Sequence, residues 1–255
     1  MSCSIDREEL FEARKHESYR MYLEAESETK SMTSKDDIRG DGMTDGNDTM
    51  YNWRVAAVHK ALARAGKAVG PLLVSDLTIL GHLDQYHYLG VHACDKAIET
   101  LGISAGSTVL DVGSGIGGPA RYISGASGCH VVGVEVQADL VDAAVALTAR
   151  VASLDGRIRF ACADFTSPEL DLEAAGLPTR GADHVISLLV FLHIPGRPTV
   201  LARFFDSLAP GGSFLIEDFV ARGPFTSDEE SILQDLVKVR SPLRRSSSLR
   251  PSDRP

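Results

Sequence analysis

Cysteine is scarce in this 255-residue chain: Cys3, Cys94, Cys129 and Cys162 are widely spaced and form no Cys-x-x-Cys pair. That spacing argues against a zinc ribbon or a disulfide framework and suits small buried hydrophobes in a reducing compartment. His82, His87 and His92 recur every five residues. Each step turns a helix by about 140°, so they share no metal-binding face. Asp41–Asp48 (DGMTDGND) places Met43 where a calcium loop needs an oxygen ligand. No metal is therefore expected. Long apolar runs are missing too: Val185–Leu192, broken only by Ser187, falls far short of the roughly 20 residues of a membrane helix. The N-terminus, MSCSIDREELFEARKHE, is charged where a signal peptide needs an apolar core. These absences lead us to expect no membrane span and a cytoplasmic location. A basic excess is lacking as well. With 35 Asp+Glu against 26 Lys+Arg, the net charge is −9, which argues against a nucleic-acid backbone as partner.

What remains is ordinary globular composition, 44% hydrophobic and 24% charged, enough for one large domain with an extension. Residues 1–50 hold 13 acids and 7 bases, and Thr33–Thr49 has little to bury, so this stretch reads as a polar, partly disordered extension. Residues 51–103 form a helical lead-in and lid segment. Tyr51–Ala65 has apolar positions at helical spacing before Gly66, and Val91–Leu101 has them before Gly102. Residues 104–239 form the main domain. Residues 240–255, with five Arg, five Ser and three Pro, read as a disordered basic tail.

From Ser107 onward strands and helices alternate. Strands are expected at Thr108–Val112, His130–Val134, Ile158–Ala161, His184–Leu189 and Ser213–Glu217. Helices are expected at Pro119–Ser124, Ala138–Ala152, Pro168–Ala175, Pro198–Leu208 and Ser227–Val239. The series implies an α/β, Rossmann-like, doubly wound and mostly parallel sheet, whose ligand binds beyond the carboxyl ends of the strands.

The strongest motif stands at such an end. Val109–Pro119 (VLDVGSGIGGP) runs from a strand into a glycine loop and a helix, and Gly113, Gly115 and Gly118 satisfy G-x-G-x-x-G. Glycines let the loop turn tightly and its backbone approach a nucleotide. Glu135, at the end of the next strand, is suited to accept from both ribose hydroxyls. To this point a dinucleotide and S-adenosylmethionine fit equally. Asp111 separates them: a carboxylate two residues before the first glycine opposes an anionic pyrophosphate but attracts a sulfonium and an ammonium. In Phe160–Phe165, Asp164 is suited to accept from an adenine amine, with Phe165 against the ring. Asp164 also reads as a turn or capping acid.

On DQYHYLG, VLDVGSGIGGPARYIS, GVEVQ, ACADF, FLHIP and LAPGGSFLIEDF, from about Asp84 to Val239, the chain resembles the class I S-adenosylmethionine-dependent methyltransferases. It is most similar to the small-molecule branch with the sarcosine/dimethylglycine, phosphoethanolamine, sterol and tocopherol enzymes. The resemblance implies the class I methyltransferase fold and S-adenosyl-L-methionine as cofactor. It also implies binding roles for Asp111, Gly113, Ser114 and Gly115 at the methionine part, Glu135 and Val136 at the ribose, and Asp164 and Phe165 at the adenine. Leu188 and Leu189 would line the cofactor from the fourth strand. Similar enzymes fold the segment before the first strand over the cofactor, making Tyr86, His87 and Tyr88 candidates for a lid or aromatic wall, or else for packing residues. His193 follows the fourth strand and is placed either to take a proton from an acceptor or to orient the Ile194–Pro195 turn. Arg121 and Arg203 read as solvated helix residues.

The expected reaction is in-line transfer of the sulfonium methyl to a small-molecule acceptor. A truncated, non-catalytic S-adenosylmethionine-binding protein is the alternative, and a nicotinamide-dependent oxidoreductase the third reading. Enzymes of this class usually add a final antiparallel hairpin, for which no matching sequence is found. Its absence would leave Ser213–Glu217 as an exposed edge able to self-associate.

Overall fold

The computed structural model describes residues 52–87, 89–194, 196–218, 220–221, 226–227 and 243–244. All of these but Asn52 and Trp53 belong to one compact unit that begins at Arg54. The extension over 1–50, Tyr88, and all but the first residue of the helix expected over Ser227–Val239 lie outside the described residues.

Three helices lead in: α1 (Asn52–Arg64), the short α2 (Val74–Thr78) and α3 (Val91–Leu101). The last stops where Gly102 adopts the left-handed conformation and its amide bonds back to the Ile98 carbonyl, the C-cap its sequence predicts. Strand β1 (Thr108–Val112) then enters the core, followed by α4 (Gly118–Ser127), β2 (His130–Glu135), α5 (Ala138–Ala149), β3 (Ile158–Cys162), β4 (Ala182–Leu188), α6 (Arg197–Ser207) and β5 (Leu208–Glu217). Among the described residues the helix expected at Pro168–Ala175 is replaced by successive turns. Asp164, Ser167 and Asp171 side chains bond to nearby backbone amides there, offering the chain an alternative to helix.

The five strands form a parallel sheet in the order β3-β2-β1-β4-β5, so the chain reverses direction of build-out between β1 and β4. Loops after both strands meet at that switch point. Every residue of β1 is buried, as a strand covered on both faces requires. Alternation along it sends Leu110 and Val112 into a core with Val185, Phe191 and Phe204 on one face. Val109 packs on the other face with Ala120, Ile123, Cys94 and Ile186. Asp111 shares the Val109 parity and so faces α3 and α4. Cys94 and Cys129 are buried as expected, whereas Cys162 is exposed at the end of an edge strand.

Strand β5 begins earlier than its apolar run because Leu208 pairs with Ala182 before a register break, and regular pairing resumes at His184–Ser213. It is an edge strand of this sheet. Val220–Ala221 (β6) and Leu243–Arg244 (β7) pair in parallel as a separate ribbon. Of the tail expected over residues 240–255, Leu243 and Arg244 are the described residues. No helix among the described residues is long and apolar enough to cross a membrane.

Candidate cofactor site

At the carboxyl end of β1 the chain leaves the sheet and folds back on β2. The amides of Gly113 and Ser114 both donate to the Val134 carbonyl, at 2.8 and 3.2 Å. Gly113 takes φ +79°, and a Cβ there would stand 2.5 Å from both γ-carbons of Val190. Glycine is therefore demanded twice, by conformation and by the close approach of the loop after β4. Gly115 differs. Its φ is +52°, yet no heavy atom lies within 4 Å of where a Cβ would stand. Its amide donates to Glu135 Oε2 at 3.0 Å, while Oε1 of the same carboxylate accepts from the Gln137 amide at 3.0 Å. Glu135 thereby ties the glycine loop to the start of α5.

The electrostatics single out Asp111. It is 2% exposed, and its Oδ2 and the neighbouring Ser114 Oγ are buried without a hydrogen-bond partner. Burial, and secondarily the charge of Glu135, push the Asp111 carboxyl up to about 7. Glu135 is also raised, by burial, against the opposing pull of its amide donors. A buried carboxylate without a partner is costly. Beside a glycine loop with open space at Gly115, this arrangement fits a ligand that brings a positive charge and hydrogen-bond donors. It fits a pyrophosphate poorly, because two carboxylates face the loop.

The remaining predicted residues separate into two groups. Val136 is exposed after β2, and Asp164 is exposed after β3 with Oδ1 accepting from both the amide and the hydroxyl of Thr166 at 2.7 Å. Leu188 is buried against Ile186 and Val109. Leu189 is the one non-glycine residue with positive φ among those described, at 60°, and its amide donates to the Glu217 carbonyl at 2.7 Å. That turn directs Val190 onto Gly113. Holding leucine in the left-handed region costs about 1–2 kcal/mol. Leu189→Gly is expected to stay within about 1 kcal/mol of wild type in urea unfolding, while the β-branched Leu189→Ile loses about 2 kcal/mol.

Phe165 packs away from the glycine loop. Its ring is buried in the opposite core, edge-on to Phe204 with centroids 5.5 Å apart. The aromatic beside the loop is Phe160, whose ring fills the space that a Cβ on Gly117 or Gly133 would need. Phe160 pairs with Gly133 across β3 and β2, and a large ring opposite a strand glycine is the sequence signal that points to it.

Two of the lid candidates, Tyr86 and His87, make contacts within the lead-in segment. The Arg54 guanidinium sits 4.0 Å over the Tyr86 ring, which also packs against His82 at 4.7 Å. His87 is 2% exposed, with Nε2 3.3 Å from Gln85 Oε1 and 3.9 Å from Cys94 Sγ. Burial lowers it to about 4, so it is a neutral packing residue at pH 7. His193 is half-buried in the turn after β4, its amide donating to the Val190 carbonyl. That turn is pinned where the Leu192 amide donates to Asp218 Oδ2 at 2.9 Å. Arg121 and Arg203 are not solvated as expected. Arg121 is fully buried on Asp84, and Arg203 bonds the carbonyls of Ser167 and Leu170. A separate concavity of about 430 Å³, lined by Thr166, Leu172, Thr199 and Arg203 among others, shares no residue with this site.

Known proteins match this architecture. Residues 109–212 match a family described as a methyltransferase domain. Phosphoethanolamine N-methyltransferase 1 of Arabidopsis thaliana is 31% identical over 141 residues, covering 55% of this chain and 26% of that protein. Methyltransferase GfsG of Streptomyces halstedii is 31% identical over 143 residues, covering 55% of this chain and 48% of that protein. The match thus spans about a quarter of one relative and about half of the other. The structure of Haemonchus contortus phosphoethanolamine N-methyltransferase 2 in complex with phosphomonomethylethanolamine and S-adenosylhomocysteine aligns with a TM-score of 0.52 at 23% identity. That alignment covers 62% of this chain and 34% of that one, a likeness of fold.

Proposed function

We propose that this chain, which carries a methyltransferase domain of the class I fold, binds S-adenosylmethionine and transfers its methyl group to a small-molecule acceptor. The observation that carries the reading is the buried Asp111 carboxyl, whose Oδ2 has no partner beside the Gly113–Gly115 loop. S-adenosylmethionine supplies a methyl group already activated by the positive sulfonium, so the protein's contribution is chiefly binding, alignment and exclusion of water. These terms reach about 7–11 kcal/mol in well-oriented systems. In this reading Asp111 ionises against the positive end of the cofactor, with Ser114 Oγ as an additional polar contact. Gly113 and Gly115 let the backbone approach. Glu135 has lone pairs beyond those used by its two amide donors and accepts from the ribose hydroxyls. Val136 and Asp164 border the nucleoside, and Leu188 and Leu189 form the apolar wall at the reacting end. His193 accepts the proton when the nucleophile arrives protonated.

A small metabolite suits the acidic chain better than a nucleic acid. The phosphoethanolamine relatives support an acceptor of that size. The edge strand β5 offers a surface for self-association.

Glu135→Ala is expected to weaken S-adenosylmethionine binding at least about tenfold in titration calorimetry, since it removes both a ribose acceptor and the tie to Gly115. Equal binding by both proteins would overturn the ribose assignment. Methyl transfer to a panel of amines, sterols and phenols then identifies the acceptor, and absence of turnover with every one would favour a binding role without catalysis.

A further inference from the structure

Arg121 lies on the helix that the glycine loop opens, and it is the largest fully buried side chain of the described residues. Its Nη2 donates to Asp84 Oδ1 at 2.6 Å, an ion pair sealed from solvent on both sides. Its Nη1 donates to the Ile116 carbonyl at 2.7 Å and to Thr148 Oγ1 at 3.2 Å. Nε is buried without a partner. Asp84 Oδ2 accepts from Gln85 Nε2 at 2.8 Å, and Gln85 Oε1 in turn accepts from Cys94 Sγ on α3 at 3.5 Å. One guanidinium therefore joins the lead-in segment, the glycine loop and α5.

Stability alone is a poor account of this arrangement. Removing two charges from water costs several kcal/mol, and apolar side chains of equal volume serve a core as well or better. What an ion pair adds is direction. Residues 113–118 contain four glycines, three of them at positive φ, so the loop has much backbone freedom to lose beyond what its first amides on Val134 restrain. Glu135 fixes the Gly115 amide. The Ile116–Gly117 peptide is held at both ends: its N–H donates to the Ser114 carbonyl at 2.8 Å within the loop, and its carbonyl, at the far side, is tied to the rest of the fold by Arg121. A planar fork of donors reaches the Ile116 carbonyl and Asp84 together, which a single ammonium cannot do in the same geometry.

We propose that Arg121 is a positioning residue for cofactor binding: clasped by Asp84, it holds the Ile116 carbonyl and so keeps the glycine loop in its ligand-receiving shape. The proposal rests on the reading of this loop as the cofactor site, and its test separates the two.

Arg121→Lys, Asp84→Asn and Thr148→Val are compared with wild type by titration with S-adenosylhomocysteine. Thermal unfolding and amide hydrogen exchange over residues 113–118 are measured on the ligand-free proteins. Arg121→Lys is expected to bind about tenfold more weakly and to exchange faster in the loop before any ligand is added. Thr148→Val, which removes only the bond to α5, is expected to lower the unfolding temperature while leaving binding and loop exchange as in wild type. The proposal is overturned if folded Arg121→Lys keeps wild-type loop exchange, or if binding falls in Thr148→Val as far as in Arg121→Lys at equal loss of unfolding temperature. Should Arg121→Lys not fold, Asp84→Asn carries the same measurements with the same outcomes deciding. If wild type itself binds no S-adenosylhomocysteine, the cofactor reading fails. The exchange result still decides whether Arg121 holds the loop.

Discussion

Asp111→Asn is expected to weaken S-adenosylmethionine binding about a hundredfold and, in the same protein, to raise the unfolding temperature of the ligand-free state. The two effects share one cause. The Asp111 side chain is buried with an unpartnered oxygen, and its carboxyl is pushed up to about 7 from an ordinary 3.8, first by burial and then by Glu135. A carboxyl held higher in the folded than in the unfolded state favours folding while it is protonated. That contribution is fully present below the unfolded value and is lost as pH rises through the folded one. Ligand-free wild type should therefore lose stability from about pH 4 to above pH 7, the window set by 3.8 and about 7. The amide of the Asp111→Asn variant cannot ionise, so the difference between the two proteins should grow across that window to on the order of 4 kcal/mol. Binding of a cationic ligand reverses the sign, because it favours the ionised carboxylate. Affinity of wild type should climb with pH up to about 7 and level off above it, with proton uptake by buffer detected below that pH. The checks are calorimetric titration in buffers of different ionisation enthalpy and thermal scans across the window from mildly acidic to mildly basic pH. A pH-independent affinity together with an unchanged unfolding temperature in Asp111→Asn would remove Asp111 from the site.

Gly118→Ala is expected to be the most damaging single-methyl addition in the described chain, costing about 3 kcal/mol or displacing the segment around Asp84. Gly118 opens α4 in helical conformation, so backbone strain is not the difficulty. A Cβ there would overlap the Asp84 carbonyl oxygen and lie 2.8 Å from its carbon. Backbone is met by the new atom, and backbone cannot swing aside as a flexible side chain does. Gly156→Ala makes the contrast: its φ is +70° and nothing lies within 4 Å, so its cost is only the left-handed strain of about 1–2 kcal/mol. Urea unfolding of the pair separates close approach from backbone strain. Equal losses would mean that the lead-in segment moves away from α4 without penalty. If Gly118→Ala folds by releasing that segment, the Asp84–Arg121 pair opens with it, and loop exchange should rise as in Arg121→Lys.

The elements legible in the sequence are those whose pattern is local. Val91–Leu101 and Thr108–Val112 match their expected bounds to the residue, because Gly102 caps the one and a β-branched, mostly apolar run buried at every position makes the other. Pro168–Ala175 has the apolar spacing of a helix, yet Asp171 within it and Ser167 just before it accept from nearby backbone amides, and the segment lies in turns. Phe165 follows Asp164 at a strand end, a position that suggests a ligand contact. In the turn after β3 its ring packs into the core with Phe204. His87 and Tyr86 carry the chemistry of a lid, but burial and the Arg54 cation use both within the fold.

Residues close together in the chain are enough to dictate the alternating strand and helix order, the glycine loop after β1 and the carboxylates at the strand ends. Three features arise only when distant segments meet: Arg121 becomes a buried clasp, Phe160 packs against the loop, and the Asp111 carboxyl is poised near neutral pH. These depend on burial and on partners such as Asp84, 37 residues away from Arg121. No local pattern encodes the distance over which such a charge finds its mate or loses its water.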